Sequence, residues 1–185
     1  TWSRGLYRMD RSRRYMYEYI MPHNDLTYML MFDPHGRLWI STWGGGIKCL
    51  TNPYDFKNPG YIDLYNGNKA TSVNYRIIHD PVTHTIWTCS RYGIGVLDEH
   101  NIRNGFTYYT NIGDIDRSYA IRNINDICTD GKGNIWAQTL NNGIFHINTQ
   151  PTIFNKAQLI PDGAIANRVK SIFTKDGKQF WLTLA

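Results

Sequence analysis

Apolar residues along this chain fall in short runs broken by clusters of Asp, Gly, Pro and Asn, and four of the runs share one pattern. In each, a polar turn leads into an apolar residue followed by Trp: Asp33-Pro34-His35-Gly36-Arg37-Leu38-Trp39-Ile40, Asp80-Pro81-Val82-Thr83-His84-Thr85-Ile86-Trp87, Asp130-Gly131-Lys132-Gly133-Asn134-Ile135-Trp136 and Lys175-Asp176-Gly177-Lys178-Gln179-Phe180-Trp181. The Trp spacings are 48, 49 and 45 residues. Turn-forming residues that run straight into β-favouring apolar residues mark a hairpin opening a strand. A second anchor follows each complete copy, a Gly leading an apolar residue: Gly46-Ile47-Lys48-Cys49, Gly95-Val96-Leu97-Asp98 and Gly143-Ile144-Phe145-His146. The first residues align with the same element, because Thr1-Trp2-Ser3-Arg4-Gly5-Leu6 matches Thr42-Trp43-Gly44-Gly45-Gly46-Ile47.

One period then holds four short strands. The first precedes the Asp turn (Thr27 to Phe32, Tyr75 to His79, Ile124 to Thr129, Val169 to Thr174), the second carries the Trp and the third follows the Gly. The fourth contains Tyr or Phe (Tyr15 to Tyr19, Tyr61 to Tyr65, Phe106 to Thr110, Thr152 to Lys156). A period of about 40 to 50 residues with four antiparallel strands is the signature of propeller blades. Helical repeats of that length would need apolar residues at helical spacing, and none appear. The sequence therefore predicts an all-β chain, a β-propeller segment over residues 1–185 with repeats near 1–41, 42–89, 90–138 and 139–185. Both ends fall in the loop between the second and third blade strands. Four repeats either close into a ring or form part of a larger, seven-bladed type of propeller; the second is favoured because four blades is the lower limit for such rings. An open arc exposes edges and apolar faces, so the remaining blades or another chain are expected to cover them.

Composition supports a globular chain: 42% of its 185 residues are hydrophobic and 19% charged. The net charge of +5 is mild. Much of it comes from Arg8, Arg11, Arg13 and Arg14, with no basic groove interleaved with aromatics, so nucleic acid is not an expected partner. No apolar run has the length of a membrane span, and no membrane contact is expected of this segment. Cys49, Cys89 and Cys128 are 40 and 39 residues apart, match no zinc or redox spacing, and are expected to be small buried hydrophobes. The six His are isolated in sequence, without metal-ligand spacing, so neither a metal nor a cofactor is expected.

The string from Asp33 to Ile47, Asp-x-x-Gly-x-Leu-Trp-Ile-Ser-Thr-Trp-Gly-Gly-Gly-Ile, with its weaker copies, resembles the two-component regulator propeller repeat. The resemblance covers nearly the whole chain. The second copy departs from it with Pro81 and an extra residue in its turn and a loop, Ser90-Arg91-Tyr92-Gly93-Ile94-Gly95, that reads as longer by one; the fourth has Lys175 in the Asp place. The resemblance implies a periplasmic sensor region of a hybrid two-component system in polysaccharide-degrading gut bacteria. Such sensors carry two propellers, a β-sandwich, a membrane helix, a histidine kinase, a receiver and a DNA-binding module. It implies an oligosaccharide ligand, control of polysaccharide-utilisation genes, a homodimer in the full sensor, and no enzymatic role for this segment.

In a propeller, the loops between second and third strands and the blade-joining loops open on one face. The blade-joining loops hold His23, Asn24 and Asp25, then Asn74, Tyr75 and Arg76, then Arg122, Asn123 and Asn125, then Asn167 and Arg168. The other loops add Trp2, Arg4, Trp43, Arg91, Tyr92, Asn141 and Asn142. Aromatic rings stack on the apolar faces of sugars, while amides and Arg satisfy hydroxyls and acidic groups, so this set forms the candidate ligand rim. Trp39, Trp87, Trp136 and Trp181 recur at one strand position and are expected to pack between blades.

Enzymatic alternatives are less well supplied. There is no His-Glu-x-x-His and no Gly-x-Ser-x-Gly. The sialidase-type Asp box is also missing, because Asp33 stands six residues before Trp39. A propeller lyase of the streptogramin-lyase or polysaccharide-lyase kind needs an acid/base pair on the rim, where only His23 is offered, with Glu18 the one nearby Glu. A protein-interaction propeller is the remaining class.

Overall fold

The computed structural model describes residues 5–19, 26–113, 118–149, 169–174 and 180–184. Among the described residues, three repeats are organised around their turn aspartates, Asp33, Asp80 and Asp130. Asp33 Oδ1 accepts the amides of His35 (2.9 Å) and Arg37 (3.0 Å), while Oδ2 accepts Arg37 Nε (2.5 Å) and Trp39 Nε1 (2.8 Å). Asp130 likewise takes the amides of Lys132 and Asn134, and Asp80 takes the Thr83 hydroxyl at 2.6 Å. A short carboxylate folded back on amides just ahead of it fixes a turn without help from the ladder, which is why Asp recurs there.

The turns join strands into antiparallel sheets. β1 (Leu6–Met9) pairs with β2 (Met16–Tyr19). β3 (Leu26–Phe32), β4 (Leu38–Trp43), β5 (Ile47–Leu50) and β6 (Tyr61–Asp63) form a four-stranded sheet in chain order, and β7 (Asn74–Asp80), β8 (Thr85–Ser90), β9 (Ile94–Asp98) and β10 (Thr107–Tyr109) form another. A hairpin of β11 (Asn111–Gly113) and β12 (Ser118–Ala120) precedes a three-stranded sheet of β13 (Ile124–Thr129), β14 (Asn134–Thr139) and β15 (Ile144–Asn148). Residues 1–150 and 151–185 are two compact units, and in the second β16 (Val169–Thr174) pairs with β17 (Phe180–Leu184). Among the described residues there is no α-helix, and none that could cross a membrane. These are propeller blades. The strand expected over Thr152 to Lys156 lies outside the described residues, and the β11–β12 hairpin is additional to the four strands expected of its repeat.

Successive blades of the first unit bury their faces against one another. Leu6 and Tyr19 pack with Leu38, Ile40 and Leu50. Trp39, Ile47 and Cys49 pack with Ile77, Ile86 and Leu97 of the following blade. Trp87, Cys89 and Ile94 pack with Ile124, Ile127, Ile135 and Ala137 of the next. Trp39 and Trp87 are buried as expected, but Trp136 is 44% exposed and Cys128, its cross-strand partner, is exposed too. Both face outward from the β13–β15 sheet, the last of the first unit, so burial at these positions comes from a covering sheet and not from the repeat. The side chain of Trp181 lies outside the described residues.

The Gly-led strand also needs one correction. β9 opens at Ile94, directly after Gly93, so the loop of the second blade is shorter than its counterparts, not longer. The hydrogen bonds fix this alignment. Thr42 is the next-to-last residue of its strand and Ser90 and Thr139 the last of theirs, and each hydroxyl donates to a glycine carbonyl, of Gly46 (2.8 Å), Gly93 (3.0 Å) and Gly143 (2.9 Å) respectively. Each hydroxyl also accepts a loop amide, from Gly45, from Tyr92 and Gly93, and from Asn142. Gly46 is required twice over, because its φ is +72° and a Cβ there would meet Tyr65 at 2.9 Å. Gly95 lies inside β9, where a Cβ would press on Tyr108.

Candidate functional site

The loops expected to form a rim do meet. Gly44 N and Gly46 N both donate to Ser72 O, and Trp43 bridges Val73, which fastens the second–third strand loop of one blade to the segment leading into the next. The next junction repeats the arrangement: Asn123 N donates to Arg91 O (3.0 Å), and Leu140 N donates to Asn123 O (3.0 Å). Asn123 makes both bonds in the left-handed region, with φ +53°, a conformation Asn tolerates better than most residues.

A one-residue bulge shapes what the rim displays. Thr27 and Met29 pair with the adjacent residues Thr42 and Ser41, leaving Tyr28 extra in β3. Tyr75 and Asn125 are extra in β7 and β13 in the same way, and position 170 in β16. A bulge breaks the in-out alternation of a strand and re-aims the inserted side chain. Tyr28 and Tyr75 are turned toward Trp43: the ring centroids are 5.9 Å apart for Tyr28 and Tyr75, 6.2 Å for Tyr28 and Trp43, and 5.7 Å for Trp43 and Tyr75. The tilted and edge-on geometry is the favoured one for aromatic clusters. Tyr28 is 50% and Trp43 39% exposed, so the cluster presents ring surface to solvent. Burial pushes the Tyr75 hydroxyl above its ordinary range, and the charge of Arg91 opposes that rise.

Of the expected site residues, Trp43 and Tyr75 therefore come together, while Arg91 acts on Tyr75 through its charge and is joined to Asn123 through the backbone. Arg122, Asn141 and Asn142 are exposed on the neighbouring loops, Asn125 is exposed in the β13 bulge, and Tyr92 is half-buried with its amide on Ser90. Two residues have other work. Arg76 forks onto Asp126 of the next blade, with Nε–Oδ1 at 2.6 Å and Nη2–Oδ2 at 3.0 Å, and its hydrogen bond holds the Asp126 carboxyl below the usual range. Asn74 is buried, donating to Thr71 O and accepting from Tyr108 and Thr88. Trp2, Arg4, His23, Asn24, Asp25, Asn167 and Arg168 lie outside the described residues.

Sequence reasoning missed Tyr28, although a signal existed: it stands five residues before Asp33, as Tyr75 does before Asp80. It also missed that the histidines are not isolated. His35, His79, His84 and His100 gather around Glu99, at the turn end of the blades. They come from separate turns and a strand, so linear spacing carried no trace of the cluster.

Several solved structures resemble the chain. The extracellular domain described as that of hybrid two-component system BT3049 from B. thetaiotaomicron matches at 19% identity with a TM-score of 0.63, over 98% of this chain and 23% of that one. The extracellular domain of BT4673 from the same organism, also described as a hybrid two-component system, matches at 22% identity and 0.59, over 99% and 26%. PorZ, a surface component of the type-IX secretion system of Porphyromonas gingivalis, matches at 13% and 0.61, over 98% and 28%. The chain thus spans about a quarter of the length of these proteins. No protein-family model and no curated protein matches it. At these identities the likeness is one of fold, and it agrees with the blades described above: the chain is a segment of β-propeller.

Proposed function

We propose that this chain belongs to the extracytoplasmic, periplasmic sensing region of a hybrid two-component regulator, and that its rim binds an oligosaccharide whose arrival controls polysaccharide-utilisation genes. The observation that carries the reading is the solvent-facing cluster of Tyr28, Trp43 and Tyr75, with the charge of Arg91 felt at Tyr75. The apolar face of a pyranose stacks on such rings, its hydroxyls are met by the exposed amides of Asn141 and Asn142, and an acidic sugar would engage the guanidinium. The likeness to extracellular domains of two-component systems supports a sensing role. In this reading the segment binds without turning its ligand over, and signalling rests on the modules and the homodimer of a longer protein.

The test is calorimetric titration of the intact sensor region with pools of neutral and acidic oligosaccharides, with product analysis alongside. Tyr28→Ala and Trp43→Ala each remove a stacking surface and are expected to cost about 1–3 kcal/mol of affinity. Arg91→Ala is expected to weaken acidic glycans more than neutral ones. Cleaved product would move a propeller lyase to first place. No glycan binding, with all three variants silent, would leave a protein-interaction propeller.

A further inference from the structure

The end of the blades opposite the rim carries a second assembly, which owes nothing to the repeat. Glu99 follows β9 and is only 3% exposed. Its Oε1 lies 2.8 Å from His84 Nδ1, 3.6 Å from His35 Nε2 and 3.8 Å from His100 Nε2, while Oε2 meets His79 Nε2 at 2.7 Å. His84 stands three residues before Trp87, as Gly36 does before Trp39 and Gly133 before Trp136. It stands in the left-handed region at φ +54°, where the sister turns place Gly36 at +75° and Gly133 at +89°. A bulky residue held where its repeats use glycine is an outlier that suggests a role beyond the turn. The backbone locks the arrangement, because Glu99 N donates to His84 O (3.0 Å) and Arg37 Nη1 donates to Glu99 O (3.0 Å).

Donor atoms of His84, Glu99 and His100 all lie within 4.8 Å of one another. Zinc with bonds of about 2.0–2.1 Å needs tetrahedral donors about 3.4 Å apart, so modest ring rotations close the set. His84 and His100 are free to make them, being exposed. The exposed His35, brought from the β3–β4 turn of the preceding blade, is not one of these three mutually close donors, but its Nε2 lies 3.6 Å from Glu99 Oε1, so a ring rotation would bring in a fourth donor. His79 is placed to act from behind, holding the second carboxylate oxygen as outer-shell partners of metal ligands do. The geometry points to a site for a borderline divalent transition metal, with zinc as its type ion, formed by Glu99, His84 and His100 of one blade and His35 of the preceding one. Three imidazoles and one carboxylate suit zinc, whereas magnesium and calcium require oxygen donors. Because the ligands come from two blades, the ion would clamp them together and stabilise the folded chain by mass action.

The experiment is titration of the chelator-stripped full chain with zinc chloride, against magnesium chloride as control, followed by calorimetry and thermal melting. One equivalent of zinc is expected to bind and raise the melting temperature, while magnesium does neither. Cobalt(II) in its place should give the intense visible bands of a four-coordinate ion. The double variant His84→Asn, His100→Ala should lower zinc affinity at least about tenfold and abolish the cobalt bands, since Asn preserves the left-handed turn but is a poor zinc ligand. His146→Ala, in the β15 strand of another blade, should change neither. The proposal is overturned if zinc does not bind, if the double variant binds it as well as the parent, or if His146→Ala removes binding. A melting temperature that follows pH through the histidine range but ignores zinc would also overturn it, in favour of a proton-binding cluster.

Discussion

Trp39 and Trp136 hold the same place in their blades, opposite Met31 and Cys128 on the preceding strand, yet the first is fully buried and the second 44% exposed. Trp39 is covered by Ile77, Ile86 and Leu97 of the following blade, with the edge of Phe106 at 6.2 Å between centroids. Trp136 looks out from the last sheet of its unit and has the His146 ring at 4.5 Å. The repeat thus decides where a side chain points, and the neighbouring sheet decides what that orientation is worth. Three measurements would sharpen or break this distinction.

The largest effect belongs to the Trp residues themselves. Trp39→Ala should destabilise the fold by about 3–5 kcal/mol, the range for truncating a fully buried large aromatic, and Trp136→Ala by about 1 kcal/mol or less. Denaturant unfolding of the two variants gives both values. Equal losses would mean that Trp136 is covered in solution and that the two faces do not differ.

A smaller contrast lies in the turn aspartates. Burial pushes the Asp33 carboxyl up, but the hydrogen bonds from Trp39 and Arg37 outweigh it and leave the group below its ordinary range. Its folded pKa is therefore below the unfolded value of about 3.9, so its contribution is complete above roughly pH 4 and is lost as pH falls through the folded pKa. Asp33→Asn should cost about 1.5–3 kcal/mol at pH 7 and flatten the acid limb of the stability curve. Asp130, exposed and without a Trp to hold, should give a visibly smaller change on substitution to Asn. An acid limb that Asp33→Asn leaves untouched would assign the pH dependence elsewhere.

The smallest effect is chemical and leaves stability alone. Burial pushes the thiols of Cys49 and Cys89 up to about 12, whereas Cys128 is exposed beside Trp136. A disulfide reagent at neutral pH should therefore modify one thiol per folded chain and all three after denaturation. Peptide mapping that finds Cys128 as slow as Cys89 would again erase the difference between the faces.

Much of this architecture was legible because it repeats. The Asp turns at Asp33, Asp80 and Asp130, the Trp strands and the first strands fall where the pattern puts them, since each expresses local chemistry: an Asx turn, a β-favouring run, a hydroxyl near the end of the strand. The same regularity led to Trp43 and Tyr75, whose rings lie 5.7 Å apart between centroids. What was illegible depends on three dimensions. Tyr28 reaches the rim only because a bulge turns it, and Arg76 is held by an aspartate 50 residues away. The histidines meet Glu99 only after two turns and a strand end converge. The shortened loop at Gly93 was misread because two glycines, Gly93 and Gly95, stand where one strand opens, and only the Ser90 hydroxyl distinguishes them. Exposure at Trp136 and Cys128 escaped for a different reason: sequence names the face but not its neighbour.

The extra residue in each first strand has a consequence for how such a surface diversifies. Tyr28, Tyr75 and Asn125 occupy one slot in three consecutive blades, and the bulge leaves the inserted residue outside the regular register of the ladder. A substitution at Tyr28 or Asn125, neither of which packs in an inter-blade core cluster, changes the chemistry presented to a visitor while the strand pairing stays as it is, whereas Tyr75 also packs against the core. The blades then act as a constant frame with interchangeable letters, and a lineage can respell its specificity one character at a time without renegotiating the fold.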